Sequence, residues 1–404
     1  MLTVAEALAR VLEHARPLPI VDRPLETALG RRLADDVRAD ADQPPFDKAL
    51  VDGYAVRTGD LAELPRRLAV GETIPAGRLP TRPLAPGEAA VIMTGAPLPP
   101  DADGVVMVEK TDRDGDAVVI HPQPIASGMN RLPRGQVYRD GDRLTPAGVD
   151  LTPVRLGLLA AAGEATVRVF DAPRVAVVPT GDELVDFRET PGPGQIRNSN
   201  APMLAALAAG RGAEAWTSPI LADEADALRD GFREALGRDV VLAIGGVSAG
   251  QRDLAPEVLR SLGVREVFHK VRIRPGKPLW FGVGPDRDGR PPALVFGLPG
   301  NPLSGLVNFL NFVAPALDVL QGRPSRGPAI APALAASRLE RRGDLEVFLP
   351  ARIVEPSRPL AVEPLKSQGS ADMAAVAEAD GFLVLTAGDG AIEAGEIVGF
   401  LPLG

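Results

Sequence analysis

The 404-residue chain predicts a multidomain α/β plus β protein. Three observations carry that expectation. From 27 to 140, short β-like runs such as "AAVIM", "GVVMV" and "AVVI" alternate with turns such as "PAG" and "DRDG", with no long helical pattern between them. From 171 to 325, β-branched runs alternate with helical patterns, which predicts a mostly parallel sheet with helices on both faces. From 326 to 404, "EVFLPARIV", "LAVEPL", "GFLVLT" and "GEIVGFLPLG" read as a small all-β domain. Segments 1–26 and 141–170, helical or extended, are expected to link these parts. A chain this long exceeds one ordinary core, so several domains are the expectation.

Each element has its local reason. Thr3 caps a first helix whose stripe is Val4, Leu8, Val11 and Leu12. "GLLAAAGEATVRVF" (157–170) predicts a helix and then a strand. "RVAVVP" predicts a strand running into the loop "TGDEL", and "SNAPMLAALAAG" a capped helix ending at Gly210. "ADALRDGFREAL" predicts a helix, "DVVLAIGG" a strand, and Asp253 to Leu262 a further helix. "PALVFG" closes the series as a strand, followed by a helix after Pro302. No repeat of fixed period is present.

Composition excludes several functions. A net charge of −9 argues against a general nucleic-acid or membrane binder. Zero cysteine removes disulfides, thiolate metal sites and a cysteine nucleophile, and three dispersed histidines make a transition-metal site improbable. An oxygen-rich magnesium site or an oxyanion site stays open. The first ten residues lack a signal-peptide pattern and no 18-residue apolar run is seen, so the expected location is cytoplasmic.

Three loops follow apolar strands and would meet at one sheet edge, where open α/β sheets bind ligands. "PTGDEL" offers Asp182 and Glu183. "IGGVSAGQRD" offers Gly245, Gly246, Ser248 and Asp253, with glycines that let backbone N–H groups approach an anion. "LPGNPLSG" offers Pro299, Asn301 and Ser304 at a helix start, where unpaired N–H groups favour negative charge. For each loop the plain alternative is turn-making glycines and capping serines. "FHKVRIRPGKPLWFG" (268–282) is the one clearly basic stretch. A strand over 268–274 would place Lys270, Arg272 and Arg274 on one face, with Lys277 projecting beyond, suited to a polyanion or else simply solvated. "PPFDKALVDGYAV" (44–56) and "IMTGAPLPPDADGVVMVE" (92–109) contribute Asp47, Asp52, Tyr54, Thr94, Asp103 and Glu109, each a weak signal alone.

Together, six ordered segments (44–56, 92–109, 180–200, 245–253, 269–278 and 298–304) resemble the molybdopterin molybdenumtransferase family, which is related to the gephyrin E domain. The resemblance spans nearly the whole chain. It implies an elongated protein with a doubly wound, three-layer α/β domain similar to molybdopterin adenylyltransferase and a C-terminal β-barrel-like domain. It implies insertion of molybdenum from molybdate into adenylylated molybdopterin with release of AMP, with magnesium as cofactor. The site would be a cleft between the subunits of a homodimer, and contacts with molybdopterin adenylyltransferase and with molybdoenzymes are possible. By the same resemblance, Asp182, Glu183 and Asp253 would hold magnesium, and Asp52 and Thr94 would come from the partner subunit. Gly245, Gly246, Ser248, Lys270, Pro299 and Asn301 would bind cofactor; Arg274, Lys277, Ser304 and Ser370 would face the oxyanion.

The chain departs from the family at Gln136 and Val137, where an acidic pair is usual, and at Asp344, where an oxyanion-facing arginine is frequent. Ala371 stands where the family has histidine. Those departures keep a non-catalytic or reduced-activity molybdopterin-binding paralogue in view as an alternative. An adenylyltransferase is a second, which ATP-dependent AMP transfer would reveal.

Overall fold

A computed structural model describes residues 1–246, 254–355 and 360–403. The chain divides into two compact units, Met1–Ala34 with Thr166–Gly404, and Asp35–Ala165. The expected linking segment is thereby split. The helix Pro153–Ala161 belongs to the second unit, while the strand Thr166–Phe170 pairs antiparallel with Ile20–Pro24 in the first.

Unit Asp35–Ala165 is built on a six-stranded sheet. Its order is Gly104–Met107, Gly53–Val56, Glu88–Ile92, Arg66–Ile74, Ala117–Ile120 and Thr111–Asp114. Ala55, Ala90, Ile92 and Val105 pack on one face, Tyr54, Val56, Ala89 and Val106 on the other. Burial on both faces is why these strands read as continuous apolar runs without alternation.

In the other unit, a six-stranded sheet runs in the order Glu214–Thr217, Arg174–Pro179, Val240–Ile244, Leu294–Leu298, Trp280–Val283 and Arg265–His269. The first four strands pair parallel; Trp280–Val283 runs antiparallel to both its neighbours, so Arg265–His269 points the same way as the first four. Alternate residues divide between two helix layers. Val175, Val177, Leu242 and Phe296 face Asn200–Gly210, Pro302–Leu320 and the first helix, Val4–His14. Ala176, Val178, Val241 and Val295 face Ala225–Ala235 and Ala255–Ser261. The first helix, capped by reciprocal Thr3 and Glu6 bonds, is therefore part of the α/β core and not of a linker.

Pro302–Leu320 is apolar and long enough to cross a membrane by composition alone, but 89% of that stretch is buried in this core. A π-helical turn, Phe309–Val313, interrupts it.

Glu346–Glu355, Leu360–Pro364, Ala331–Ala335, Ile397–Pro402 and Gly381–Leu385 pair in that order, and the last pairs back with the first. This closes a five-stranded barrel and removes its edges. Ala333, Ala351, Leu383 and Phe400 fill its interior. Phe348, Phe382, Val384 and Leu401 instead join the α/β core, so the barrel is packed on both sides of its wall.

The basic stretch corrects one expectation. The strand from Arg265 ends at His269, because Lys270 sits at φ +74, a left-handed conformation that breaks extended pairing. Ile273–Arg274 then pairs with Glu346 and Val347 of the barrel. Lys270, Arg272 and Arg274 thus do not share one strand face. The helix expected from Asp253 begins at Ala255, and Asp253 itself lies outside the described residues.

Candidate functional site

The C-terminal ends of three neighbouring parallel strands bring the predicted loops together. The Thr180 N–H donates to the Ile244 carbonyl at 2.9 Å, and the Gly245 N–H to the Leu298 carbonyl at 3.0 Å. Gly245 has φ +88, and a Cβ there would lie 2.6 Å from the Thr180 carbonyl oxygen, so only glycine fits this approach. Gly246 follows at φ +60. Ser248 and Asp253 lie outside the described residues.

A cavity of about 550 Å³ opens at this edge. Thr180, Glu183, Gly245, Pro299, Asn301 and Ser304 line it, together with Ala371 from the loop before the last barrel strands. A larger open depression of about 830 Å³ lies on the barrel between Ile330 and Gly399, but it holds none of the residues that the sequence singles out.

Pro302 opens the long helix and Ser304 lies in its first turn, 4% exposed and on the cavity wall. Helix-start N–H groups are not all available to an anion here. Pro302 has none, and Leu303 donates to the Ser370 carbonyl at 3.1 Å. That bond ties the "SQGS" loop to the helix start. Ser304, on the cavity wall, is the side-chain donor that this helix start offers.

Glu183 reaches the cavity by folding back over Gly181, where a Cβ would come within 2.5 Å of its carboxylate. Asp182 is exposed, and its Oδ1 accepts from the Asp223 N–H at 3.1 Å. Among the described residues no three acidic or histidine side chains cluster as a metal site. Magnesium needs fewer protein ligands, because one or two carboxylates with phosphate and water suffice. Asp182 and Glu183, as hard oxygen donors in one loop, fit that requirement.

The cations are distributed differently from the expectation. Pro278 lines the cavity but Lys270, Arg274 and Lys277 do not. Arg274 instead lines a separate depression of about 270 Å³ with Arg341 and Arg342. Asp344 is exposed and pairs with Arg272 at 3.8 Å, so it repels nothing in the cavity.

In the other unit, Asp52 and Thr94 form a local pair. Asp52 Oδ1 accepts from the Thr94 N–H at 2.6 Å and from its hydroxyl at 2.7 Å. The Thr94 backbone bond, then its hydroxyl, holds this carboxyl below its ordinary pKa. Their motif neighbours have structural roles. Asp47 accepts from Arg131 and from the Arg134 N–H, Asp103 from Thr58, and Tyr54 is buried. Gln136 and Val137 lie in an exposed turn closed by Gln136 N–H to the Pro133 carbonyl at 3.2 Å.

Sequence reasoning missed Arg197, Asn198 and Asn200, all on the cavity wall. Asn198 Oδ1 accepts from the Ala201 N–H at 3.1 Å, so it, and not Ser199, caps the helix that follows. Asn200 Nδ2 donates to the Gly300 carbonyl at 2.7 Å, fastening the "LPGNP" turn, while its buried Oδ1 has no partner. Paired asparagines just before an apolar helical run were the signal available.

Fold and cavity define a multidomain α/β protein whose polar site sits at the carboxyl edge of a parallel sheet. Residues 2–163 match the MoeA N-terminal region (domain I and II), 176–319 a family described as "Probable molybdopterin binding domain", and 332–403 the MoeA C-terminal region (domain IV). The molybdopterin molybdenumtransferase of Nostoc sp. is 41% identical over 317 residues, covering 77% of this chain and 71% of its own. That of Staphylococcus aureus is 33% identical over 400 residues, covering 98% and 94%. The crystal structure of the molybdopterin biosynthesis moeA protein from Pyrococcus horikosii superposes with a TM-score of 0.80 at 32% identity, covering 100% of this chain and 99% of its own. The chain belongs to the molybdopterin molybdenumtransferase family. Its matches to both flanking regions also separate it from a lone adenylyltransferase domain.

Proposed function

We propose that this chain inserts molybdenum from molybdate into adenylylated molybdopterin, releasing AMP, as a cytoplasmic magnesium-dependent enzyme. The observation that carries the reading is the cavity at the strand ends, where Glu183, Asn200 and Ser304 converge within a chain matched to its family from end to end.

The residues divide the work by chemistry. Ser304 donates its hydroxyl to a molybdate oxygen, and Lys277, on the exposed turn beside Pro278, supplies positive charge to that dianion. Lys270 extends the basic field, and the Ser370 carbonyl ties its loop to the helix start. Asn200, whose Nδ2 donates to the Gly300 carbonyl, holds the turn that presents Ser304 to the substrate. Gly245 and Gly246 let the backbone pass close to phosphate with no side chain in the way. Asp182 and Glu183 would hold magnesium, which when bound neutralises phosphate charge and polarises the phosphorus–oxygen bond that breaks. An oxygen of molybdate or of water bonds to phosphorus as the pyrophosphate bond breaks and AMP departs. The two dithiolene thiols then bind molybdenum while their protons leave with one molybdate oxygen as water. Asp52 and Thr94 are supplied by the partner subunit of a homodimer in this reading, which rests on the family resemblance.

The test is AMP release from adenylylated molybdopterin with magnesium, with and without molybdate. Molybdate-stimulated release, lost in Ser304→Ala and in Asp182→Ala, is the expected result. Tight binding of the adenylylated pterin without release would overturn the enzyme reading in favour of a binding protein. AMP transfer from ATP to molybdopterin would overturn it in favour of an adenylyltransferase.

A further inference from the structure

We propose that Asn308 is a positioning residue for molybdenum transfer. From inside the long helix it holds the Arg274-to-Lys277 turn, so that Lys277 meets the same oxyanion as Ser304. The inference rests on the oxyanion role of Lys277 and Ser304 proposed above.

Asn308 is fully buried in a helix whose neighbours are Leu306, Val307, Phe309 and Leu310. Its Nδ2 donates to the Gly276 carbonyl at 3.1 Å. The turn is closed at its base by its own backbone, with Lys270 N–H to the Leu279 carbonyl at 2.8 Å and Val271 N–H to the Lys277 carbonyl at 3.0 Å. The Asn308 bond ties Gly276, the residue just before Lys277, to the helix. Gly276 has φ +110, and a Cβ on it would lie 2.7 Å from Asn308 Oδ1. Turn and amide are therefore in direct contact, and neither a side chain at 276 nor a displaced turn is compatible with that contact.

Asn308 is four residues after Ser304, one helical turn along the same face. One helix thus carries the hydroxyl donor and, through one amide, holds the residue next to the cation, while the barrel strand holds Ile273–Arg274. The arrangement has a cost, because Asn308 Oδ1 is buried without a partner, and an aliphatic side chain would avoid that. Asn311 supplies the comparison. It is 1% exposed on the next turn, its Oδ1 is likewise unpartnered, and its Nδ2 donates to the Val307 carbonyl of its own helix at 2.8 Å. Both asparagines carry the burial cost, but the Asn311 bond stays within the helix.

The experiment uses the full chain and titrates molybdate in the AMP-release assay, with the thermal midpoint measured alongside. Losing one buried hydrogen bond to the turn is expected to raise the half-saturating molybdate concentration about tenfold in Asn308→Leu. Affinity for adenylylated molybdopterin and maximal release at saturating molybdate stay near wild type. Gly276→Ala should shift the same constant in the same direction, which keeps the test available if Asn308→Leu fails to fold. Asn311→Leu should change the thermal midpoint without moving the molybdate constant. A folded Asn308→Leu with unchanged molybdate dependence overturns the inference, as does an equal shift in Asn311→Leu. Lys277→Ala separates the two levels. If it weakens molybdate dependence while Asn308→Leu does not, only the positioning role falls; if it has no effect, the oxyanion reading falls and takes the inference with it.

Discussion

Replacing Asp239 by asparagine tests what holds the parallel sheet together opposite the cavity. Asp239 is fully buried just before the strand Val240–Ile244. Its carboxylate accepts from the Arg174 N–H at 2.9 Å, from Arg287 Nη2 at 3.1 Å, and from Arg290 Nε and Nη2, both at 2.9 Å. Its backbone bonds the strands on either side, N–H to the Arg174 carbonyl at 2.8 Å and carbonyl to the Leu294 N–H at 3.0 Å. The amide side chain of the Asp239→Asn variant would keep the shape but leave clustered guanidinium groups without their counter-charge, while Arg290 retains Asp171 at 2.9 Å. Breaking a buried pair by neutralising one partner costs about 3–5 kcal/mol. At about 2 °C per kcal/mol for a domain of this size, the midpoint should fall by about 6–10 °C.

Calorimetry of the full chain measures this. Burial pushes the Asp239 pKa up, but bonds from Arg290 and Arg174 outweigh it and hold the carboxyl below its ordinary value. A depressed carboxyl contributes stability that is present above its unfolded pKa, near 3.9, and is lost as pH falls through the folded value. The gap between wild type and Asp239→Asn should therefore be full at neutral pH and narrow only below about pH 4. A shift under about 2 °C at pH 7, or a gap that widens in acid, would refute the reasoning.

Asp52→Ala should lower molybdate-stimulated AMP release more than about tenfold while leaving the thermal midpoint nearly unchanged, because Asp52 is exposed. If the active cleft joins two subunits, mixing Asp52→Ala with Ser304→Ala protein should restore activity to about one quarter of wild type, the statistical share of intact sites in exchanged dimers. Asp344→Ala should leave molybdate dependence unchanged and cost under about 1 kcal/mol, since its partner Arg272 is itself exposed. A large gain in molybdate affinity there would show that the carboxylate does face the oxyanion. Thr3→Ala should remove one cap bond and destabilise by about 1 kcal/mol in denaturant titration.

Strand and helix identity in the α/β domain followed from the chain alone, because burial on both faces makes "VVLAI" and "ALVFG" continuously apolar and the intervening helices are locally patterned. Loop chemistry at the strand ends was legible for the same reason. Once adjacent parallel strands are assigned, topology places Glu183, Gly245 and Ser304 at one edge.

Other features depended on partners distant in sequence. Nothing local to Lys270 announces a left-handed residue, and Arg274 leaves its expected face because Glu346 and Val347, some 70 positions on, offer it a barrel strand. Asp344 finds Arg272 in the same way. Asn200 and Asn308 look like ordinary helix residues until Gly300 and Gly276 are placed against them. Local pattern encodes which face of an element is buried, so the sequence by itself determined the layers and the site's edge. Which side chains meet across that edge was decided only by tertiary structure, because such contacts arise from packing elements that the chain separates by tens to hundreds of residues.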